Sequence, residues 1–70
     1  MSTMIPQLKI GTVISVNSSK LEVVNQQATV IRLNIMSIPL SLFCITADGT
    51  RYAFFGDEID ECISIVSQPS

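Results

Sequence analysis

Apolar and polar positions alternate along most of this chain with the period of β-strands. The clearest case is "ATVIRLNIMS" (28–37), where Ile31, Leu33 and Ile35 fall on one side and Arg32 and Asn34 on the other. One apolar and one polar side is the pattern of a strand with a single buried face. We therefore predict a strand here whose Arg32 side faces solvent.

Two further segments in the first half show the same pattern. "LKIGTVISV" (8–16) has apolar residues at even positions, interrupted by Thr12: Leu8, Ile10, Ile14 and Val16. "LEVVN" (21–25) follows the loop "NSSK", and "NQQ" (25–27) predicts a second turn. Three strands joined by short loops predict a meander. Pro39 then interrupts the pattern, because proline cannot donate to a strand ladder.

The segment "SLFCITADGTRYAFF" (41–55) predicts a hairpin. Asp48-Gly49 between two β-forming runs favours a two-residue type I′ turn. That register places three pairs on one face: Ala47 with Thr50, Ile45 with Tyr52, and Phe43 with Phe54. The other face then carries Thr46 with Arg51, Cys44 with Ala53, and Leu42 with Phe55. Neither face is polar away from the turn, so we expect both to be covered by a closed barrel or by another subunit.

The chain end completes the predicted fold. "GDEIDE" (56–61) breaks the β pattern with a short helical turn near 57–61, and "CISIVS" (62–67) returns to it. We predict one all-β domain over residues 1–70, a small antiparallel barrel of five to six strands that is SH3-like, with OB-like and Sm-like barrels as alternatives. The first strand is expected to pair with the last. The ends, 1–6 and 67–70, are expected to be flexible.

Composition adds an expectation about association. The chain is 47% apolar and only 14% charged, against about 25% charged in typical domains. A 70-residue chain leaves much of its surface exposed, so uncharged side chains must face outward. This predicts a homo-oligomer. The net charge of −2, with lysines and arginines scattered singly, argues against nucleic acid as a partner.

Four of the six acids lie together between residues 57 and 61. Their spacing does not match a calcium loop, and neighbouring acids in one exposed turn lack the two different environments of acid–base catalysis. We expect Asp57 to cap the turn and Ile59 to close the barrel end, while the charges keep "YAFF" soluble. The alternative is a docking face for a basic partner, formed by Asp57, Glu58, Asp60, Glu61 and Phe55.

The remaining candidate residues are arginines and thiols. Arg32 and Arg51, with Tyr52, predict a site for a small anion or nucleotide between subunits. Cys44 and Cys62 lack nearby histidines and are expected to be reduced thiols rather than a disulfide. We predict no cofactor and no metal. No segment resembles a signal peptide or reaches the roughly 20 apolar residues of a membrane span, which predicts a cytoplasmic location.

These features together predict a non-enzymatic protein–protein interaction module, such as a subunit, an adaptor or a small inhibitor. It would self-associate through exposed apolar strand faces. The alternative is an oligomeric small-ligand or nucleotide-binding protein with sites between subunits. A weaker alternative is an Sm-like or OB-like nucleic-acid binder.

Overall fold

The computed structural model describes residues 8–69, which form one antiparallel five-stranded sheet and a short helix. The elements are β1 (Val13–Ser18), β2 (Val23–Asn34), β3 (Ser41–Thr46), β4 (Arg51–Phe55), α1 (Glu58–Cys62) and β5 (Ile63–Ser67). The strand order is β4-β3-β2-β1-β5. The first four strands thus form a meander in chain order, and β5 returns to pair with β1. The all-β prediction, the helical turn and the pairing of first and last strands are confirmed. Residues 1–6 and Ser70, part of the predicted flexible ends, lie outside the described residues.

The sheet is not closed, contrary to the predicted closed barrel. β4 and β5 stand at the two ends of the strand order and share no ladder in the described part of the chain. Three register irregularities, one each in the β1–β2, β1–β5 and β2–β3 pairs, bend the sheet around its core. The helix α1 packs against β1, β4 and β5. Its Ile59 is fully buried, so the helix covers the core beside the two edge strands, as expected for this residue.

One face of the curved sheet forms the core. Its buried apolar residues are Leu8, Ile14, Val16, Ala28, Val30, Leu42, Cys44, Phe54, Ile59 and Ile63. The even positions predicted to share an apolar face, Leu8, Ile14 and Val16, are buried, but Ile10 is 66% exposed. Thr12, which interrupts that apolar pattern, is buried. The Thr12 hydroxyl accepts the N–H of Lys9 at 3.0 Å. This bond satisfies the buried hydroxyl in the turn before β1 and sends Ile10 outward.

The predicted turn at "NQQ" is wrong, because β2 runs without interruption through residues 25–27. Asn25 takes a positive φ of 50°, which asparagine tolerates better than most residues. Its N–H donates to the Asn17 side-chain oxygen at 2.9 Å. The asparagine therefore produces a local distortion within a long strand rather than a chain reversal.

A bulge in β2 changes which residues face outward. The register against β3 shifts between Val30 and Arg32, so Ile31 is an extra residue on that strand. Val30 is buried and Leu33 packs against the core, whereas Ile31 and Arg32 are both exposed. The prediction that Ile31 and Leu33 share a face is wrong for this reason, since a bulge breaks the alternation of two.

The β3–β4 hairpin has a three-residue loop instead of the predicted two-residue turn. Thr46 donates its N–H to the Thr50 carbonyl at 2.8 Å, and Gly49 donates to the Thr46 carbonyl at 3.0 Å. Gly49 has a φ of +92°, the left-handed conformation that ends such loops. The pairs become Ile45–Arg51, Cys44–Tyr52, Phe43–Ala53, Leu42–Phe54 and Ser41–Phe55. A slip of one residue moves each β4 side chain to the opposite face from its prediction relative to β3.

Side chains also order this loop. The Thr46 hydroxyl donates a hydrogen bond to the Asp48 carboxylate, and the Thr50 N–H donates to the same group at 3.1 Å. The bond from Thr46, followed by those from Thr50, lowers the pKa of Asp48 below its ordinary value. The Asp-Gly pair thus contributes a carboxylate acceptor and a left-handed residue to the three-residue loop.

Candidate functional site

The outer face of β2, β3 and β4 carries two arginines and two phenylalanines. Arg32 pairs with Phe43, which pairs with Ala53. Arg51 pairs with Ile45 on the same face, because side chains two residues apart on a strand point the same way. We call this surface the arginine–phenylalanine face, and it comprises Arg32, Phe43, Ile45, Arg51, Ala53 and Phe55.

The geometry of this face leaves both arginines available. The guanidinium of Arg32 lies 6.0 Å from the centroid of the Phe43 ring, a cation–π arrangement. Phe43 and Phe55 meet edge-to-face with centroids 6.2 Å apart, and Phe55 is 45% exposed. Within residues 8–69, neither Arg32 nor Arg51 has a carboxylate within ion-pair distance. The face is therefore apolar between two cations that lack an anionic partner in the described chain.

Tyr52 does not join these arginines. It pairs with Cys44 and packs against the core, on the opposite face of β4 from Arg51. Its ring lies 6.4 Å from that of Phe54. The predicted set of Arg32, Arg51 and Tyr52 is thus divided: the two arginines share the outer face and the tyrosine belongs to the inner one. The one-residue slip of the hairpin is the cause.

A second surface is formed by the β2–β3 connection, residues 35–40, which we call the apolar loop. Ile38 is fully exposed, Met36 is 87% exposed and Ile35 is 53% exposed. The Asn34 side-chain oxygen accepts the N–H groups of Met36 and Ser37, each at 3.1 Å. These bonds satisfy backbone donors locally, so the loop holds a defined shape while its large apolar side chains face solvent.

The apolar loop lies next to the end of β4. The Gly56 N–H donates to the Leu40 carbonyl at 2.8 Å, and a Cβ on Gly56 would stand 3.5 Å from the Cβ of Pro39. An open concavity of about 440 Å³ is lined by the loop and Gly56. The loop therefore adjoins Phe55 of the arginine–phenylalanine face through its chain neighbour Gly56.

The acid cluster occupies the short helix and its preceding residue. Asp57 stands at the N-cap position of α1, as predicted, but its side chain makes no capping hydrogen bond. Glu58 instead accepts the N–H of Phe55 at 3.4 Å. Asp57, Asp60 and Glu61 are exposed, and Glu58 is half-buried. The cluster thus decorates the outside of α1, with one carboxylate covering an edge N–H of β4.

Both cysteines are free thiols. Cys44 is fully buried within β3, and its thiol donates to the Tyr52 carbonyl over 3.9 Å. Burial raises the pKa of Cys44 to about 11, which keeps this thiol neutral and unreactive at ordinary pH. Cys62 is half-buried. The absence of a disulfide between them agrees with the prediction of two thiols.

The surface of the described residues has two smaller concavities. One groove of about 380 Å³ lies between β2 and β3 near Gln26 and Ile45, and another of about 190 Å³ lies between Leu21 and β4. Within the described residues, no group of three potential metal ligands comes together. In the same part of the chain, no helix has the length and apolar character needed to cross a bilayer.

Comparison with protein-family models, curated proteins and solved structures finds no match to this chain.

The sequence reasoning overlooked the apolar loop as a surface. Pro39 interrupts the strand pattern, and the segment "IMSIPL" around it contains four large apolar residues and no charge. The sequence does contain a signal for this surface, because no charged residue occurs from residue 33 to residue 47. This uncharged run extends through the whole connection between β2 and β3. A loop joining two strands lies on the surface by default, so an uncharged apolar loop predicts exposed apolar area.

Proposed function

We propose that this chain is a non-enzymatic protein–protein interaction module that self-associates through the apolar loop. The observation that carries the proposal is the exposure of Ile38, Met36 and Ile35 together on one ordered loop. Scattered single apolar residues are normal on protein surfaces, but contiguous ones mark interaction sites. The proposal moves the predicted contact from the strand faces to this loop and the adjoining Phe55.

The energy available from the loop is of the right order for association. Burying one large aliphatic side chain fully contributes about 1.5–3 kcal/mol. Because Ile35 is already about half-buried in the single chain, these three side chains from each of two copies would contribute at most roughly 7–14 kcal/mol before costs. Association costs an estimated 4–15 kcal/mol in lost freedom. The balance supports a moderate affinity, which suits a subunit or an adaptor.

Charge supports a second copy as the occupant of the loop. No charged residue lies between positions 33 and 47, although the whole chain carries a net charge of −2. Two copies can therefore bring these loops together without placing like charges against each other. A contact through α1 would instead oppose the acid clusters of both copies, which costs energy.

The finer fold class is also part of this proposal. We propose an SH3-like arrangement, supported by the meander of four strands, the helical turn after β4 and the fifth strand beside the first. A cytoplasmic location remains a prediction, supported by the two free thiols. The acid cluster as a docking face for a basic partner also remains a prediction.

The nucleotide-binding alternative has less support than the sequence suggested. Two of its three residues, Arg32 and Arg51, share a face, but Tyr52 lies on the other side of the sheet. Small-ligand sites are usually concave, and the three concavities described above are lined by other residues. Two arginines also provide few of the phosphate contacts on which nucleic-acid affinity depends.

Dilution of the ¹⁵N-labelled chain followed by NMR tests the proposal. We expect the amide signals of residues 35–40 and Phe55 to move as concentration falls, while those of the β1–β5 pair stay in place. The control is Ile38→Asp, whose spectrum should resemble the dilute wild-type chain at every concentration. Concentration-independent signals at the loop would refute self-association through this surface.

A further inference from the structure

The arginine–phenylalanine face has a charge character that differs from the rest of the molecule. None of the residues that strand pairing places on it is acidic, while the chain as a whole is acidic. Arg32 and Arg51 are exposed, and in the described chain neither meets a carboxylate. A surface with two cations that meet no carboxylate in the described chain favours an anionic partner through charge complementarity.

The distance between the two arginines indicates how far apart two anionic groups of the partner should lie. They stand on β2 and β4, two strand spacings apart and two residues apart along the sheet. Using about 4.8 Å between strands and about 3.4 Å per residue, the two Cα atoms are roughly 12 Å apart. In an extended peptide, residues i and i+4 are about 14 Å apart and point to the same side. Two carboxylates at that separation can therefore face both arginines.

The surface between the arginines determines which kind of side chain is favoured at the middle of the peptide. Phe43 and Ile45 are half-buried, and Ala53 is exposed. The protein surface between the two arginines is therefore apolar. In an extended peptide the residue at i+2 faces the same side as i and i+4. An apolar side chain at i+2 would lie on Phe43, Ile45 and Ala53. Arginine is suited to the flanking contacts because its guanidinium binds carboxylates in a bidentate manner.

We propose that the arginine–phenylalanine face binds an extended acidic peptide segment of a partner protein, with an acid–any–apolar–any–acid pattern. The peptide contacts lie at Arg32, Phe43, Ile45, Arg51 and Ala53, and this face meets the apolar loop only at Phe55. The inference assumes the interaction role proposed above but not self-association. A chain with both surfaces would join its own copies at one of them and hold an acidic partner at the other.

The test is an NMR titration of the ¹⁵N-labelled full chain with the synthetic peptide Gly-Glu-Ser-Leu-Ser-Glu-Gly at low ionic strength. We expect shifts concentrated at Arg32, Phe43, Ile45, Arg51 and Ala53. Exposed ion pairs contribute about 0.2–1 kcal/mol each, so Arg32→Gln or Arg51→Gln should weaken binding by about 1.4-fold to fivefold. The matched control Lys9→Gln, an exposed cation in the turn before β1, should leave affinity unchanged.

Charge reversal gives the sharper arm of the experiment. The double variant Arg32→Glu, Arg51→Glu should lose the acidic peptide and gain Gly-Lys-Ser-Leu-Ser-Lys-Gly, whereas the wild-type chain should bind only the acidic one. Added salt should weaken both matched pairs. A peptide with glutamine in place of both glutamates should bind the wild-type chain more weakly than the original.

Three results would overturn the inference: no shifts on this face, equal binding by the arginine variants, or tighter binding of oligothymidylate than of the acidic peptide. The same samples distinguish it from the proposed function. Dilution shifts at residues 35–40 with no peptide binding would leave self-association standing and remove the acidic-peptide site. Peptide binding with no dilution shifts would leave the acidic-peptide site standing and remove self-association through the apolar loop.

Discussion

Ile59 gives the most direct test of how α1 is held in the fold. It is the one apolar residue within "DEIDE" and is fully buried, although the helix around it is acidic and largely exposed. Truncating a fully buried isoleucine to alanine costs about 2–5 kcal/mol, because the lost burial is joined by the cavity left behind. A single core in a domain of this size supplies only about 3–5 kcal/mol. We therefore expect Ile59→Ala to unfold a large share of the molecules.

The matched control is Ile38→Ala, which makes the same chemical change at a fully exposed position. Surface changes of this kind usually stay within about 0.5 kcal/mol. Urea unfolding followed by far-UV circular dichroism measures both variants. The comparison belongs at the lowest workable concentration, since association would add a concentration-dependent stabilisation that Ile38→Ala removes.

The two variants should differ by at least about 1.5 kcal/mol in the free energy of unfolding. If Ile59→Ala and Ile38→Ala unfold at the same urea concentration, then Ile59 does not fasten the helix to the sheet. The assignment of α1 as a cover for the core beside β4 and β5 would then be refuted.

Three further predictions concern the hairpin and the thiols. Gly49→Ala should destabilise the fold by about 1 kcal/mol, because alanine is strained at the positive φ of this loop position; thermal unfolding that matches wild type would contradict the three-residue loop. Thr46→Val should bring the pKa of Asp48 up toward its ordinary value, since the bond that chiefly lowers it is lost; NMR titration of the carboxyl carbon measures this, and an unchanged pKa would contradict the contact. Burial raises the pKa of Cys44 to about 11, so the folded state holds this proton more tightly than the unfolded chain, and stability should fall as pH rises from about 9 towards 11. The expected loss is on the order of 2 kcal/mol, and Cys44→Ala should remove that part of the pH dependence; an equal loss in the variant would assign it to other groups.

The sequence predicted the class of fold because the alternation of apolar residues reports directly on strands. It also predicted the β1–β5 pairing and the burial of Ile59. It failed where one residue decides the outcome. Asp48-Gly49 fits both a two-residue and a three-residue loop, and only the longer loop puts Phe54 in the core opposite Leu42. The bulge at Ile31 has no signal in the alternation at all.

The same one-residue shifts in register decide which residues share the candidate site. Arg32 and Arg51 were predicted as candidates from their residue type, but their common face depends on the bulge in β2 and the loop length of the hairpin. Tyr52 follows Arg51 in the chain, and adjacent strand residues point to opposite faces, so it does not share the face of the two arginines. Register in a sheet with two apolar faces is weakly specified by pattern.

Sedimentation velocity over a range of micromolar concentrations tests self-association through the apolar loop most directly. Three chains are compared: wild type, Ile38→Asp in the loop, and Val24→Asp, an equally drastic change at a 77% exposed apolar position on β2 away from the loop. We predict that wild type and Val24→Asp sediment faster as concentration rises, and that Ile38→Asp stays a folded monomer. A wild-type chain that remains monomeric throughout, or an Ile38→Asp chain that associates as wild type does, would contradict the account.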